Sequence, residues 1–155
     1  DDIIHEVSEA MGDEIANAIL LIDAAPLPVV QGSSFQLRQL FVNLLGNAVK
    51  FRKPNQQQKV HIKHSVVTKS FADFEPETSW HCISVKDEGI GFMQQMRDRI
   101  FNLFQRGHAT TTVEGTGVGL SICRKIMENH GGRIEASGRE GEGATFRLYF
   151  PVSTD

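Results

Sequence analysis

Three short stretches of this chain combine residue types that can hold a nucleotide. Asn43, Asn47 and Lys50 fall at i, i+4 and i+7, which puts them on one face of a helix. Asn is a poor interior helix residue, because its side chain competes for backbone hydrogen bonds. An amide oxygen is a hard neutral ligand that suits Mg²⁺, and a Lys one turn on suits phosphate. A merely solvated polar face is the ordinary alternative. In VKDEGIGF, Asp87 shares a strand face with Ile83 and Val85, where a carboxylate is costly without a partner. A base with an exocyclic amine is one candidate, and Gly89 and Gly91 would let a ligand approach the backbone closely. A strand-end Asp in a turn is the alternative there. Gly115, Gly117 and Gly119 alternate just ahead of a helical pattern. Glycine-rich backbone at a helix N-terminus is an anion site, because the amides point outward and the dipole favours negative charge. No Lys-Ser/Thr follows, so this is not a Walker loop, and the spacing does not fit a dinucleotide fingerprint. A flexible hinge remains open.

The elements that must position these residues follow from periodicity. Residues 2–11 have weak helical spacing, and 15–23 are apolar enough for a strand. Pro26 and Pro28 then break the chain. A helix is expected over 34–50, with Leu37, Leu40, Phe41, Leu44, Leu45 and Ala48 on one face. Ser33 and Gln36 form a capping-box pattern at its start. Two strands follow. In one, Val60, Ile62 and Val66 share a face. In the other, over 80–87, Ile83, Val85 and Asp87 do, and a polar loop containing Pro76 joins the pair. A short helix is expected over 94–104, a Thr- and Gly-rich loop over 105–117, and a second long helix over 118–130 that Gly131 and Gly132 stop. Two last strands carry Ile134 and Ala136, then Phe146, Leu148 and Phe150. The expected fold is a two-layer α/β sandwich: a mixed, mostly antiparallel sheet with helices on one face.

The bulk properties fit one such unit. The chain has 155 residues, enough for a real core. Its net charge of −3 argues against a general nucleic-acid or anionic-membrane binder. No apolar run spans a bilayer. Cys82 and Cys123 lack metal-ligand spacing and read as reduced structural thiols of a cytoplasmic protein. The chain opens inside a helical pattern, so a fragment of a longer protein is expected. Any membrane anchorage of that parent is left open.

Order and spacing tie the three stretches together. The sequence resembles the catalytic and ATP-binding domain of histidine kinases, in the superfamily shared with gyrase, Hsp90 and MutL ATPases. NLLGNAVKF is similar to that family's asparagine box, DEGIGF to its first glycine box and IFNLFQRG to its phenylalanine box. GTGVGLSICRKIMENHGG resembles the second glycine box and GEGATF the last. The run from PLPVVQGSSFQLRQLF through KFR is similar to kinases of the phytochrome-like class. The resemblance implies the Bergerat ATP-binding fold and Mg-ATP as ligand. It makes Asn47 the main Mg²⁺ ligand, with Asn43 assisting at the metal and phosphates. Lys50 would reach the phosphates, and Phe51 would border the ribose or base. Asp87 would accept from the adenine amine in a pocket shaped by Gly89 and Gly91. Arg106 would be the lid cation near the γ-phosphate. Gly115, Gly117, Gly119 and Leu120 would wrap the phosphates, and Phe101 and Phe104 would anchor the lid.

Three positions depart from the pattern. Arg52 stands where Ser or Thr is frequent, Ala144 where Thr is, and His108 has no standard role in the lid. The family's phosphoacceptor motif is absent. His5-Glu6 lacks the following Thr-Pro or Asn-Pro, so the acceptor histidine is expected on a separate dimerisation domain of the same protein, with a response regulator downstream. The alternatives are a self-contained ATPase of the gyrase or Hsp90 type and a nucleotide-binding module without turnover. Those ATPases carry a Glu one turn before the metal Asn. Asn43 occupies that place and cannot take a proton.

Overall fold

The computed structural model describes residues 2–13, 20–91, 117–139 and 141–152. Helix α1 (Asp2–Ala10) comes first, then β1 (Leu20–Ala24), α2 (Ser34–Lys50), β2 (Gln58–Lys69) and β3 (Thr78–Asp87). Helix α3 (Gly117–Asn129), β4 (Arg133–Arg139) and β5 (Gly143–Pro151) complete it. The strands form one sheet in the order β1-β2-β3-β5-β4. Only β1 runs parallel to its neighbour; the other pairs are antiparallel. The helices pack on one another and on one sheet face. The core between the layers joins Leu40, Leu44 and Leu45 of α2, Cys123 and Met127 of α3, and Val60, Ile62, Val85, Leu148 and Phe150 of the sheet. The mixed sandwich expected from the pattern is therefore the one observed.

Element ends show what the pattern could and could not specify. Helix α2 spans the expected residues, and Ser33 Oγ accepts the Gln36 N–H at 3.2 Å. The reciprocal half of a capping box is missing: the Ser33 N–H donates instead to Nε2 of His130, 3.0 Å away. Helix α3 starts and ends one residue earlier than expected. It closes in a Schellman motif, with Gly131 at φ 69°, its N–H on Glu128 O and the Gly132 N–H on Met127 O. The first strand is described over Leu20–Ala24, and residues 15–19 of the expected strand lie outside the described residues. Val66 lies on the predicted face yet is 59% exposed, because the helical cover fails toward the end of β2, where His64 is already half-exposed. The expected helix over 94–104 and nearly all of the loop over 105–117 fall outside the described residues.

Candidate functional site

The end of β3 brings Asp87 inward beside the start of β5. Alternation puts Ile83, Val85 and Asp87 on the core face, and all three are buried. Asp87 is 8% exposed. Its Oδ1 accepts two backbone N–H groups, from Gly89 at 2.9 Å and Ala144 at 3.2 Å. Oδ2 takes no donor among the described residues. Burial pushes the carboxyl up to about 6, and the two amide hydrogen bonds oppose that rise.

The turn after Asp87 is packed backbone against backbone. A Cβ on Gly89 would lie 2.3 Å from the Phe51 carbonyl oxygen. One on Gly91, at φ 68°, would lie 2.0 Å from that of Arg139. The Ile90 N–H donates to Phe51 O at 2.8 Å, and the Gly141 N–H donates to Ile90 O at 2.7 Å. Gly89 and Gly91 thus tie the end of α2 to the β4–β5 turn, and only glycine permits that approach.

The stripe on α2 is not a solvated face. Asn47 is 6% exposed, Asn43 is half-buried and Lys50 is exposed at the last position of the helix. The Asn43 side chain sits beside the Cys123 thiol of α3, and its buried amide nitrogen meets no acceptor of ordinary strength among the described residues. Burial raises the Cys123 thiol to about 12 and also raises Cys82, so both behave as structural thiols. Two departures from the family pattern acquire local functions. Arg52 donates to the Val49 carbonyl at 2.8 Å and so satisfies the end of α2. Ala144 serves Asp87 through its backbone, which no side chain at that position needs to do.

Gly117 and Gly119 begin α3, and Leu120 is buried in its first turn. Arg106, Gly115, Phe101, Phe104 and His108 lie outside the described residues. Sequence reasoning passed over Gln58. This first residue of β2 is 1% exposed, and its amide joins Ala48 O to the Glu88 N–H. The signal was available: Gln58, Val60 and Ile62 share an inward face, and a polar residue there demands partners as Asp87 does.

A one-sided mixed sandwich, with a buried carboxylate at a strand end and a glycine-opened helix start, defines the ATP-binding α/β class. The chain belongs to the histidine kinase-, DNA gyrase B- and HSP90-like ATPase family, whose model matches residues 32–154. It is 46% identical to cyanobacterial phytochrome A of Nostoc sp. (strain PCC 7120) over 97% of the chain and 19% of that protein. The catalytic domain of the histidine kinase ThkA superposes with a TM-score of 0.71 at 28% identity, covering 97% of this chain and 90% of that one. Full-length ShkA, solved in complex with AMPPNP, gives 0.74 at 29% identity, covering 99% of this chain and 30% of that one. The chain spans about a fifth or less of the curated phytochrome relatives. Among the described residues, no helix is long and apolar enough to cross a membrane.

Proposed function

We propose that this chain is the catalytic domain of a sensor histidine kinase, a single unit within a longer protein. It would bind Mg-ATP and pass the γ-phosphoryl group to a histidine on a separate dimerisation domain. The observation that carries the reading is Asp87. Its buried carboxylate has one oxygen fixed by two backbone amides and the other without a donor among the described residues. An exocyclic adenine amine would supply the missing donor, and Gly89 and Gly91 shape the pocket by letting the turn after Asp87 pack against the backbone of Phe51 and Arg139.

The phosphate side fits as well. Asn43 and Asn47 offer amide oxygens of the kind Mg²⁺ accepts, and the Asn43 amide nitrogen can donate to a phosphate oxygen. Asn43 and Asn47 would hold Mg²⁺, which would supply positive charge against the phosphate oxygens during transfer. Lys50, at the end of α2, has no ion pair among the described residues and would bring a cation to the phosphates, and the first N–H groups of α3, at Gly117 and Gly119, would suit an anion. Phe51 would border the ribose or base and Leu120 anchors the helix start, while Arg106 and Gly115, outside the described residues, would add phosphate contacts by the family resemblance. In the transfer, the bond from the γ-phosphorus to the ADP oxygen breaks as a bond to an imidazole nitrogen forms. The base belongs to the acceptor domain, because Asn43 cannot take a proton. A response regulator would then receive the phosphoryl group. With ATP as substrate, the domain would work in the cytoplasm.

The test is incubation of the full chain with γ-labelled ATP and a dimerising histidine hairpin. Acid-labile label on the hairpin is expected. Rapid phosphate release without the hairpin, with no labelled histidine, would favour the self-contained ATPase instead.

A further inference from the structure

Gln58 joins the two halves of the site. Its Nε2 donates to the Ala48 carbonyl at 2.7 Å, and its Oε1 accepts the Glu88 N–H at 3.2 Å. Ala48 follows Asn47 and stands two residues before Lys50, in the last turn of α2. Glu88 follows Asp87 and opens the glycine turn. One buried amide therefore bonds to both segments at the residue next to their functional side chains.

The residue type is restricted by this geometry. The carbonyls of the last helical turn lack intrahelical partners. Here Asn47 O takes the Phe51 N–H and Val49 O takes Arg52, while Ala48 O takes Gln58. The partner at Ala48 must donate, and the partner at Glu88 must accept. A carboxylate can do only the second, and an apolar side chain neither. Packing holds the amide in place: a Cβ on Gly89 would stand 2.8 Å from Nε2 of Gln58. The strand start is fixed too, since Gln58 pairs with Leu20 in β1 and Val60 pairs with Asp87 in β3.

We propose that Gln58 is a positioning residue. It sets the end of α2, with Asn47 and Lys50, at a fixed distance from the Asp87 turn, so that one ligand engages base and phosphate contacts together. This deepens the Mg-ATP reading of the site and rests on it.

Two substitutions separate this coupling from simple filling of space. Gln58→Glu keeps the shape and the acceptor for Glu88, but as a carboxylate it cannot donate to Ala48. Protonation would restore a donor of the same reach, and burial favours protonation. Gln58→Met fills a similar volume and makes neither bond. The measurements are calorimetric titrations of the full chain with adenosine and with Mg-ADP, at about pH 8, above the Asp87 transition, and at about pH 6.5, on its upper shoulder. The parent at both values corrects for other titrating groups.

In Gln58→Glu at the higher pH, adenosine affinity is expected within about twofold of the parent. Mg-ADP affinity should fall about tenfold, the scale of one lost hydrogen bond, and recover at the lower pH. Gln58→Met should lose Mg-ADP affinity at both values. Mg-ADP affinity within twofold of the parent in a folded Gln58→Met chain would overturn the proposal. So would a loss in Gln58→Glu that falls equally on adenosine. If Asp87→Asn and Asn47→Ala leave Mg-ADP affinity unchanged in the parent background, it is the underlying nucleotide reading that fails.

Discussion

Asp87 and Ala144 are joined across neighbouring strands by a 3.2 Å hydrogen bond from the Ala144 backbone N–H to Oδ1 of the carboxylate. Burial outweighs that bond and its companion from Gly89, and the carboxyl is pushed up to about 6 from an ordinary 3.8. A raised acid destabilises the fold where it is charged. The penalty is absent below the unfolded value, grows between the two and is complete above about 6. Asp87→Asn keeps an acceptor for both amides and removes the charge. Without nucleotide at neutral pH, the variant should gain up to ~3 kcal/mol, and the gain should vanish near pH ~4. ATP affinity should fall about tenfold or more, because a donor would then face the adenine amine. Thermal melts across pH, paired with calorimetry, check both. A variant that melts lower at neutral pH and binds ATP normally would remove Asp87 from the site.

The β4–β5 turn holds Ala144 where Asp87 can use it. Gly143 has φ 93°, and a Cβ there would meet the Asp87 carbonyl oxygen at 2.2 Å. Gly141 has φ 80° with open space around it. Both positions strain an alanine, but only one pushes on the site. Gly141→Ala should cost about 1–2 kcal/mol and leave nucleotide affinity alone. Gly143→Ala should cost more and weaken ATP binding, since Ala144 N moves with it. Chemical denaturation and ATP titration of the pair would separate strain from displacement. Equal affinities in the two variants would mean that the Ala144 contact contributes nothing to the site.

How far this arrangement was legible in the chain depends on the range of the contact. Periodicity located α2 and α3, and the inward faces of β2 and β3, because each rests on neighbours a few residues away. Asp87 could be recognised as buried from Ile83 and Val85 alone. The partners that hold it could not, since Ala144 is 57 residues distant and donates from a backbone atom that every residue but proline has. The same limit hid His130, 97 residues from Ser33, behind a capping pattern that only half forms. Gln58 was hidden differently. It carries a readable inward position, but Gln56 and Gln57 precede it, and the run resembles a polar loop.

His130 links the C-terminus of α3 to the start of α2. Its Nε2 accepts the Ser33 N–H, so Nδ1 carries the proton and donates to Ile126 O at 2.8 Å. Removing the ring's polarity with His130→Phe takes that acceptor from the exposed Ser33 N–H, at a cost of about 0.5–1.5 kcal/mol. Helix α3 is 13 residues long, so its far end stands roughly 20 Å from the phosphate-side start. ATP affinity should therefore stay within about twofold in the folded variant. Differential scanning calorimetry and nucleotide titration test the pair of claims. An undiminished melting temperature would mean that Ser33 finds another acceptor.

The last expectation concerns the domain on its own. It should bind Mg-ATP, hydrolyse it very slowly and label none of its own histidines. Binding draws on Asp87, the glycine turns, Asn47 and Lys50, all present in this chain. Hydrolysis needs a base near the attacking water, and Asn43 offers a neutral amide beside the Cys123 thiol, itself raised to about 12. Transfer needs an imidazole nitrogen free to attack in line. Both nitrogens of His130 are engaged, and His64 and His81 bond each other at 3.0 Å. His61 faces Asp23 from β2, and His5 faces Glu9 on the exposed side of α1. None of these five lies on the Asp87 turn or at the start of α3. His108 is outside the described residues and lacks the acceptor motif. Labelling should therefore appear only when a dimerising histidine hairpin is supplied, fused or in trans. The assay follows acid-labile phosphate and free phosphate together. Fast turnover without a partner would favour the ATPase alternative, and labelling abolished by His5→Gln alone would place the acceptor in α1.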